Sequence, residues 1–252
     1  MIRMPFVRKN KPEIPESTGG ADEPQRGPVA RFIRGWVMPI AIVLALQTPL
    51  RASLVDWNSV PSGSMRPTIL EGERILVNKL AFGLRVPLTR MWLATWGDPE
   101  RGDIITFASP RDGTRLVKRV VGVPGDRISM LGNVLIVNGE RVEYEADLGR
   151  SLAPGADGQL RTLNLAEEHL PGRTHPIALT PDAGTPNSFT EVVVPEGHYF
   201  VMGDNRDQSL DSRYFGFVKR SDIYGRSSYV VTSLDPRQGG RPRFDRWFTR
   251  LP

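Results

Sequence analysis

The sequence contains no cysteine and only three histidines among its 252 residues. The absence of cysteine excludes disulfides, thiolate-ligated metal sites and a thiol nucleophile. The histidines, His169, His175 and His198, are scattered along the chain, so they offer no ligand cluster for a metal ion. We therefore expect neither a metal nor an organic cofactor.

Basic blocks interleaved with stacking aromatics in the manner of a nucleic-acid groove are also absent, although the formal net charge is +5. A basic balance is compatible with nucleic acid or with an anionic membrane surface. Since stacking aromatics do not accompany the basic residues, we expect no nucleic-acid partner. The 25 glycines and 22 prolines favour short strands and turns over long helices.

One uncharged apolar segment, residues 35–50, lies between Arg34 and Arg51. A helix of this length reaches about 24 Å, and extension to residue 54 brings it close to the roughly 30 Å of a hydrocarbon core. We predict a transmembrane anchor over residues 35–54; a cleaved secretory signal and a buried core helix are the alternatives. Residues 1–34 are polar and rich in proline and glycine, which predicts a disordered tail. Because basic residues are concentrated before the segment, the tail is predicted to be cytoplasmic and the rest of the chain extracytoplasmic.

The rest of the sequence predicts a mainly β fold. Aliphatic runs of strand length occur at residues 74–79, 103–107, 115–121 and 133–137. Asn138-Gly139, between valine-rich runs, is a strong signal for a tight hairpin turn. These patterns predict a β-rich core of many short strands.

The core is predicted to comprise residues 55–144 and 192–233. Between these two parts, residues 145–191 are rich in proline and glycine and lack periodicity, which predicts a loop-rich insertion or small subdomain. Residues 234–252 are predicted to form a basic amphipathic segment at the membrane surface. Its apolar residues have the spacing i, i+3, i+4 and i+7, at Phe244, Trp247, Phe248 and Leu251. A second apolar patch, residues 91–96, is another candidate membrane contact, and packing against the core is the alternative for both.

A first chemically distinctive segment is Val60-Pro-Ser-Gly-Ser-Met-Arg-Pro-Thr-Ile69. Its glycine permits close approach of a ligand to the backbone, and its prolines stiffen the loop. A nucleophilic serine needs a fixed hydroxyl and free backbone N–H groups for an oxyanion. An ordinary turn is the alternative for this segment taken alone.

A second segment, Arg115–Asp126, contains a lysine in a predicted strand. Leu116, Lys118 and Val120 share one strand face, so the ammonium group has apolar neighbours. Burial favours the neutral amine, which can accept a proton from serine without any histidine. A lysine that extends from an edge strand into solvent is the alternative.

A third segment, Gly203–Gly216, concentrates aspartate and arginine in turn-like sequence. A calcium loop, a surface loop and an ion-pair network are the possible interpretations. The spacing of an EF-hand loop is missing, which argues against calcium.

These segments, with Arg101-Gly-Asp-Ile104, resemble in content and order the motifs of type I signal peptidases, which are Ser/Lys-dyad peptidases. The resemblance covers about residues 55–232. It implies a β-rich catalytic domain behind one membrane anchor, with Ser64 as nucleophile and Lys118 as general base. Ser62 and the Ser64 N–H would stabilise the oxyanion, and Ser209 would orient the Lys118 amine.

The resemblance also implies supporting and substrate-binding residues. Asp211 and Arg213 would pair and brace one wall of the site, and Asp204 would be structural. The shallow apolar pockets for small substrate side chains would be lined by Val60, Ile69 and Val117.

The implied activity is removal of signal peptides from exported preproteins after small-x-small motifs, through an acyl-enzyme. The expected partners are preprotein signal peptides, the lipid bilayer and a secretion translocon. The expected location is the bacterial inner membrane, with a single pass and the catalytic domain outside. A specialised maturation peptidase of the same fold and an inactive membrane-tethered binding domain are the alternatives.

Overall fold

The computed structural model describes residues 33–40, 43, 54–86, 89, 91–154, 159–181 and 187–252. The chain divides into two compact units, Met1–Ala45 and Leu46–Pro252.

In the first unit, Ile33–Val37 form a π-helical turn, and the described residues 38–40 and 43 are also helical. The apolar side chains of Trp36, Met38 and Ile40 are exposed. Within the described residues, no helix is long and apolar enough to cross a membrane. Nearly all of the tail predicted at 1–34, and most of the anchor predicted at 35–54, lie outside the described residues.

The second unit is mainly β, as predicted, and its strands are predominantly antiparallel. The strands are β1 (Val55–Ser59), β2 (Glu73–Asn78), β3 (Gly83–Arg85), β4 (Trp92–Thr95), β5 (Ile104–Ala108), β6 (Arg115–Gly122), β7 (Arg127–Leu131), β8 (Val134–Val137), β9 (Glu140–Arg141), β10 (Glu143–Pro154), β11 (Leu160–Leu170), β12 (Arg173–Leu179), β13 (Phe189–Val193), β14 (His198–Met202), β15 (Val218–Lys219), β16 (Ile223–Asp235) and β17 (Arg241–Pro242). One α-helical turn, α1, spans Ser212–Phe215. Short 3₁₀ helices occur at Lys79–Ala81, Arg206–Gln208, Arg220–Asp222, Pro236–Gln238 and Phe244–Arg246.

The largest sheet has the strand order β1-β2-β16-β5-β6-β14-β15, and β17 pairs with β16. β5 and β6 form a hairpin in which Ile105 lies opposite Lys118. A second sheet has the order β13-β7-β8-β9, and β3 pairs with β4. The turn predicted at Asn138-Gly139 is confirmed, because both residues have positive φ and join β8 to β9.

The loop-rich character predicted for residues 145–191 is wrong for most of the described ones, whereas their assignment to an insertion or small subdomain stays a prediction. β10, β11 and β12 form a three-stranded antiparallel sheet, here called the inserted sheet. Its prolines lie on the outer strands β10 and β12, where a missing N–H need not interrupt the ladder. Gly149 lies at a bulge opposite β11. The residues that indicated loops therefore occupy positions that a sheet tolerates.

The C-terminal segment does not form the single amphipathic stripe that its spacing predicted. Of the residues that carry this spacing, Phe244 to Leu251, only Phe244–Arg246 are helical, as one 3₁₀ turn. Phe244 and Phe248 are exposed, whereas Leu251 is buried in a core cluster with Val60 and Ile69. Backbone hydrogen bonds to β16 hold this end of the chain, so its apolar residues divide between core and surface.

Candidate active site

Ser64 lies in the loop that joins β1 to β2. The loop folds on itself through hydrogen bonds from Arg66 N–H to the Gly63 carbonyl (3.1 Å) and from Ile69 N–H to the Met65 carbonyl (2.9 Å). Met65 and Ile69 are almost fully buried, so their burial anchors the loop to the core. Ser64 itself is only partly buried, so its hydroxyl has a fixed backbone and an accessible side.

Lys118 projects from β6 to the hydroxyl of Ser64. Its Nζ lies 2.5 Å from Ser64 Oγ, and the residue is only 3% exposed. Leu116 and Val120, on the same strand face, pack in an apolar cluster with Ile105. The sequence predicted these apolar neighbours.

Burial lowers the pKa of Lys118 from 10.5 to about 8. The carboxylates of Asp211 and Asp204 oppose this shift, and the guanidinium of Arg213 adds to it. About a tenth of the amine is therefore neutral at pH 7, far more than for an ordinary lysine. A neutral amine in hydrogen-bond contact with a serine hydroxyl is able to accept its proton.

Asp204 lies under the site in a fully buried ion pair. Its carboxylate accepts from Arg119 Nε (2.9 Å) and Nη2 (2.8 Å), and from the Thr68 hydroxyl (2.5 Å). Thr68 belongs to the Ser64 loop and Arg119 follows Lys118. Asp204 thus connects the segments that carry the two candidate catalytic side chains.

Asp211 and Arg213 lie together, with Arg213 Nε and Nη2 donating to the Asp211 carboxylate at 2.9 and 2.8 Å. Asp211 also caps α1 and accepts from the Gly203 N–H at 3.0 Å. A Cβ at Gly203 would overlap the Ser64 carbonyl oxygen and the Ser209 Oγ. The Gly203–Arg213 segment is therefore packed directly against the Ser64 loop.

Ser209 does not make the hydrogen bond to Lys118 that the resemblance implied. Its Oγ is buried and has no hydrogen-bond partner within the described part of the chain. The Lys118 amine points to Ser64, and the Ser209 hydroxyl lies against Gly203. Ser62 is exposed, two residues before Ser64.

The three predicted pocket residues lie in one apolar cluster with Met65, and Val60 and Ile69 belong to the Ser64 loop itself. Val117 is partly buried, Val60 retains 6% exposure and Ile69 has no exposed surface. Val117 thus offers the most accessible surface of the three. Among the described residues, no group of His, Asp and Glu side chains is arranged to hold a metal ion.

Asn205 has a contact that the sequence reasoning missed. Its N–H donates to the Ser64 carbonyl (3.1 Å), and its side-chain amide donates to the Gly63 carbonyl (3.0 Å). The sequence marked the segment as polar, but nothing in it indicated which side chain reaches the serine loop.

Known proteins resemble this chain over most of its length. The profile of a family described as "Signal peptidase, peptidase S26" matches residues 33–232. The chain is 37% identical over 217 residues to signal peptidase I of Pseudomonas aeruginosa, covering 81% of this chain and 74% of that protein. It is 34% identical over 205 residues to signal peptidase I of Rickettsia typhi, covering 75% of this chain and 76% of that protein.

A crystal structure of a signal peptidase I from Enterococcus faecalis is 29% identical to this chain. The match covers 52% of this chain and 98% of the Enterococcus faecalis chain, with a TM-score of 0.31. The family match and the extended identity to the curated relatives establish what kind of protein this is: the chain belongs to the signal peptidase family, peptidase S26, and is a serine peptidase.

Proposed function

We propose that this peptidase removes signal peptides from exported preproteins after small-x-small motifs, with Ser64 as nucleophile and Lys118 as general base. The observation that carries the proposal is the 2.5 Å contact between Lys118 Nζ and Ser64 Oγ, made by a buried amine of lowered pKa. The proposed nucleophile, the proposed base and the apolar cluster around Val60 and Val117 then belong to one site.

The first half of the reaction forms an acyl-enzyme. Neutral Lys118 takes the hydroxyl proton of Ser64 as Oγ attacks the carbonyl carbon before the cleaved bond. The resulting ammonium group then donates that proton to the leaving amine as the C–N bond breaks. The signal peptide remains attached to Ser64 as an ester.

The second half releases the signal peptide. Lys118, neutral again, takes a proton from water, which attacks the ester carbonyl. The proton returns to Ser64 Oγ as the ester C–O bond breaks. One lysine thus acts as base and acid in both halves, and no histidine takes part.

The oxyanion is stabilised by the Ser64 N–H and the Ser62 hydroxyl. The Ser64 N–H forms no hydrogen bond with other described residues, which supports this role. The Ser62 side chain is exposed beside it. Loss of one such donor typically slows catalysis by about 10²–10³-fold.

The apolar cluster beside Ser64 receives the small substrate side chains. Val117 supplies most of the accessible surface, the nearly buried Val60 supplies little, and Ile69 limits the depth of the pockets. Asp204, Asp211 and Arg213 have no contact with substrate in this proposal; their ion pairs fix the wall of the site.

The peptidase acts at a bacterial inner membrane, anchored once through residues 35–54, with its catalytic unit extracytoplasmic. Exposed apolar residues in β4 and beside it (Met91, Leu93 and Trp96) support contact of that unit with the bilayer. Phe244 and Phe248 are similarly exposed. A secretion translocon supplies the preproteins.

A cleavage assay tests the proposal. Wild type is expected to cut a signal-peptide substrate that contains a small-x-small motif, and Ser64→Ala and Lys118→Ala are each expected to abolish the cut. The exposed residues Ser221 and Lys219 provide matched controls, and their alanine variants are expected to retain activity. Near-full activity of Lys118→Ala would refute the base assignment.

A panel of exported preproteins tests the substrate range. A general peptidase is expected to process many of them, whereas a specialised maturation peptidase is not.

A further inference from the structure

The inserted sheet contributes a buried ion pair to the region behind the active site. Glu168 of β11 has no exposed surface and accepts from Arg206 Nη1 at 2.7 Å, while Arg206 Nη2 contacts its other oxygen. The Tyr144 hydroxyl donates to Glu168 at 2.6 Å. Burial alone would raise the pKa of Glu168, but the Arg206 guanidinium holds it well below its usual range. The pair is therefore fully ionised at neutral pH.

His175 of β12 extends this network toward Asp204. Its Nε2 lies 3.3 Å from Glu168 Oε2 and 3.8 Å from Asp204 Oδ1, and its side chain is wholly buried. Burial and the nearby Arg119 lower the pKa of His175, which keeps the ring neutral near pH 7. The ring thus fills the space between two carboxylates without adding a charge.

Backbone N–H groups of β12 and of Thr180, the residue after it, hold the Asp204–Asp207 segment. Ala178 N–H donates to the Asp204 carbonyl at 2.9 Å, and Thr180 N–H donates to the Asp207 carboxylate at 2.8 Å. Together with the Glu168–Arg206 pair, these bonds fix the segment at three points, Asp204, Arg206 and Asp207. Asn205, between them, is the residue that holds the Ser64 and Gly63 carbonyls.

We propose that Glu168 is a positioning residue for Ser64: through Arg206, the inserted sheet fixes the segment from which Asn205 sets the Ser64 loop against Lys118. This inference rests on the proposed role of Ser64 as nucleophile. A buried ion pair adds little stability over apolar groups of equal volume, whereas paired Arg–carboxylate hydrogen bonds define orientation. The pair is therefore suited to setting geometry.

The first test is kinetic and compares two neighbouring glutamates. Glu168→Gln removes the charge from the buried network, and Glu167→Gln makes the same change on the opposite face of β11, at a partly exposed position. We expect kcat of the full-length Glu168→Gln protein to fall roughly 10- to 100-fold, because small misplacements of reacting atoms cost that much. KM is expected to stay near the wild-type value, and Glu167→Gln is expected to match wild type. An unchanged kcat in Glu168→Gln would overturn the proposal.

The second test measures amide hydrogen exchange and does not depend on activity. In Glu168→Gln the Asn205 amide, which bonds the Ser64 carbonyl, is expected to exchange faster than in wild type. Amides in β5 and β6 are expected to keep their protection. Faster exchange throughout those strands would indicate a general loss of stability and would overturn the proposal. An unchanged Asn205 amide beside a reduced kcat would also overturn it.

A double variant covers the case in which the single change leaves Arg206 as an unpaired buried cation and prevents folding. Glu168→Gln/Arg206→Gln carries no charge at this point, so it is expected to fold. It is also expected to show reduced kcat and faster Asn205 exchange, because amide side chains lack the guanidinium fork. A wild-type kcat in this double variant would overturn the positioning role of Glu168 but not the proposed function.

Activity retained in Ser64→Ala would instead overturn the proposed function. The effect of Glu168→Gln on exchange at the Asn205 amide would still be valid in that case.

Discussion

Replacing Lys118 with methionine is expected to abolish cleavage and yet stabilise the fold at neutral pH. The amine is nearly fully buried, and the folded protein binds its proton more weakly than the unfolded chain does. Methionine is unbranched, apolar and flexible, so it suits the same space among Leu116, Val120 and Ile105. The substitution therefore removes the proposed general base and, with it, an ammonium group that folding disfavours.

The size of this effect follows from the pKa of Lys118. A decrease from 10.5 to about 8 disfavours the folded, protonated state by about 3 kcal/mol at pH 7. This penalty is complete below the folded pKa and disappears as the pH rises through the unfolded pKa, so about 2 kcal/mol remains at pH 9. Loss of the hydrogen bond to Ser64 costs about 1 kcal/mol. The net gain in unfolding free energy is then about 2 kcal/mol at pH 7 and about 1 kcal/mol at pH 9.

Urea unfolding of the full-length protein in a non-ionic detergent, followed by tryptophan fluorescence, measures this gain at both pH values. Lys219→Met is the matched control, because Lys219 is exposed and its loss should leave the free energy of unfolding nearly unchanged. A Lys118→Met protein that is less stable than wild type at pH 7 would refute the reasoning. A gain that does not shrink between pH 7 and pH 9 would do the same.

Two further predictions concern catalysis. Under the proposed mechanism only neutral Lys118 accepts the proton, so kcat/KM for a non-titrating peptide is expected to rise with pH along a limb of apparent pKa near 8. A limb near 6.5, the ordinary histidine value, would contradict this assignment. Gly203→Ala is expected to lower kcat/KM by about 100-fold or more, because its Cβ would displace the Ser64 carbonyl. The control is Gly97→Ala, whose Cβ would have its nearest neighbour at 3.5 Å and should leave the activity unchanged.

The mainly β fold could be predicted from the sequence because its signals are local. The pairing of Ser64 with Lys118 came from the resemblance to type I signal peptidases, since an ordinary turn and a solvent-exposed lysine remained alternatives for the two segments taken alone. The loop at Ser64 was marked by its own glycine and prolines. The hairpin turn at Asn138-Gly139 was likewise specified by two adjacent residues that tolerate positive φ.

The inserted sheet and the supporting contacts were not predicted, because they depend on partners distant in sequence. Pro154 and Pro176 are acceptable in strands only because those strands are outer ones, which depends on the pairing of β10 and β12 with β11. Nothing in the sequence distinguishes Glu168 from a surface glutamate, because only the fold brings Arg206 beside it. The Ser209 hydroxyl was assigned to Lys118 by resemblance, whereas in the fold it lies against Gly203.

The wide separation of Ser64, Lys118 and Asp211 along the chain has a consequence for biogenesis. A chain that has emerged from the ribosome only as far as β6 already contains the hydroxyl and the amine. It still lacks β14, which pairs with β6, and the polar segment after it, which packs against the Ser64 loop. Without them we expect the Lys118 amine to be more exposed to water and its pKa to lie nearer the ordinary lysine value. If Lys118 is the general base, as proposed, the hydrolase then becomes active only when the fold is complete.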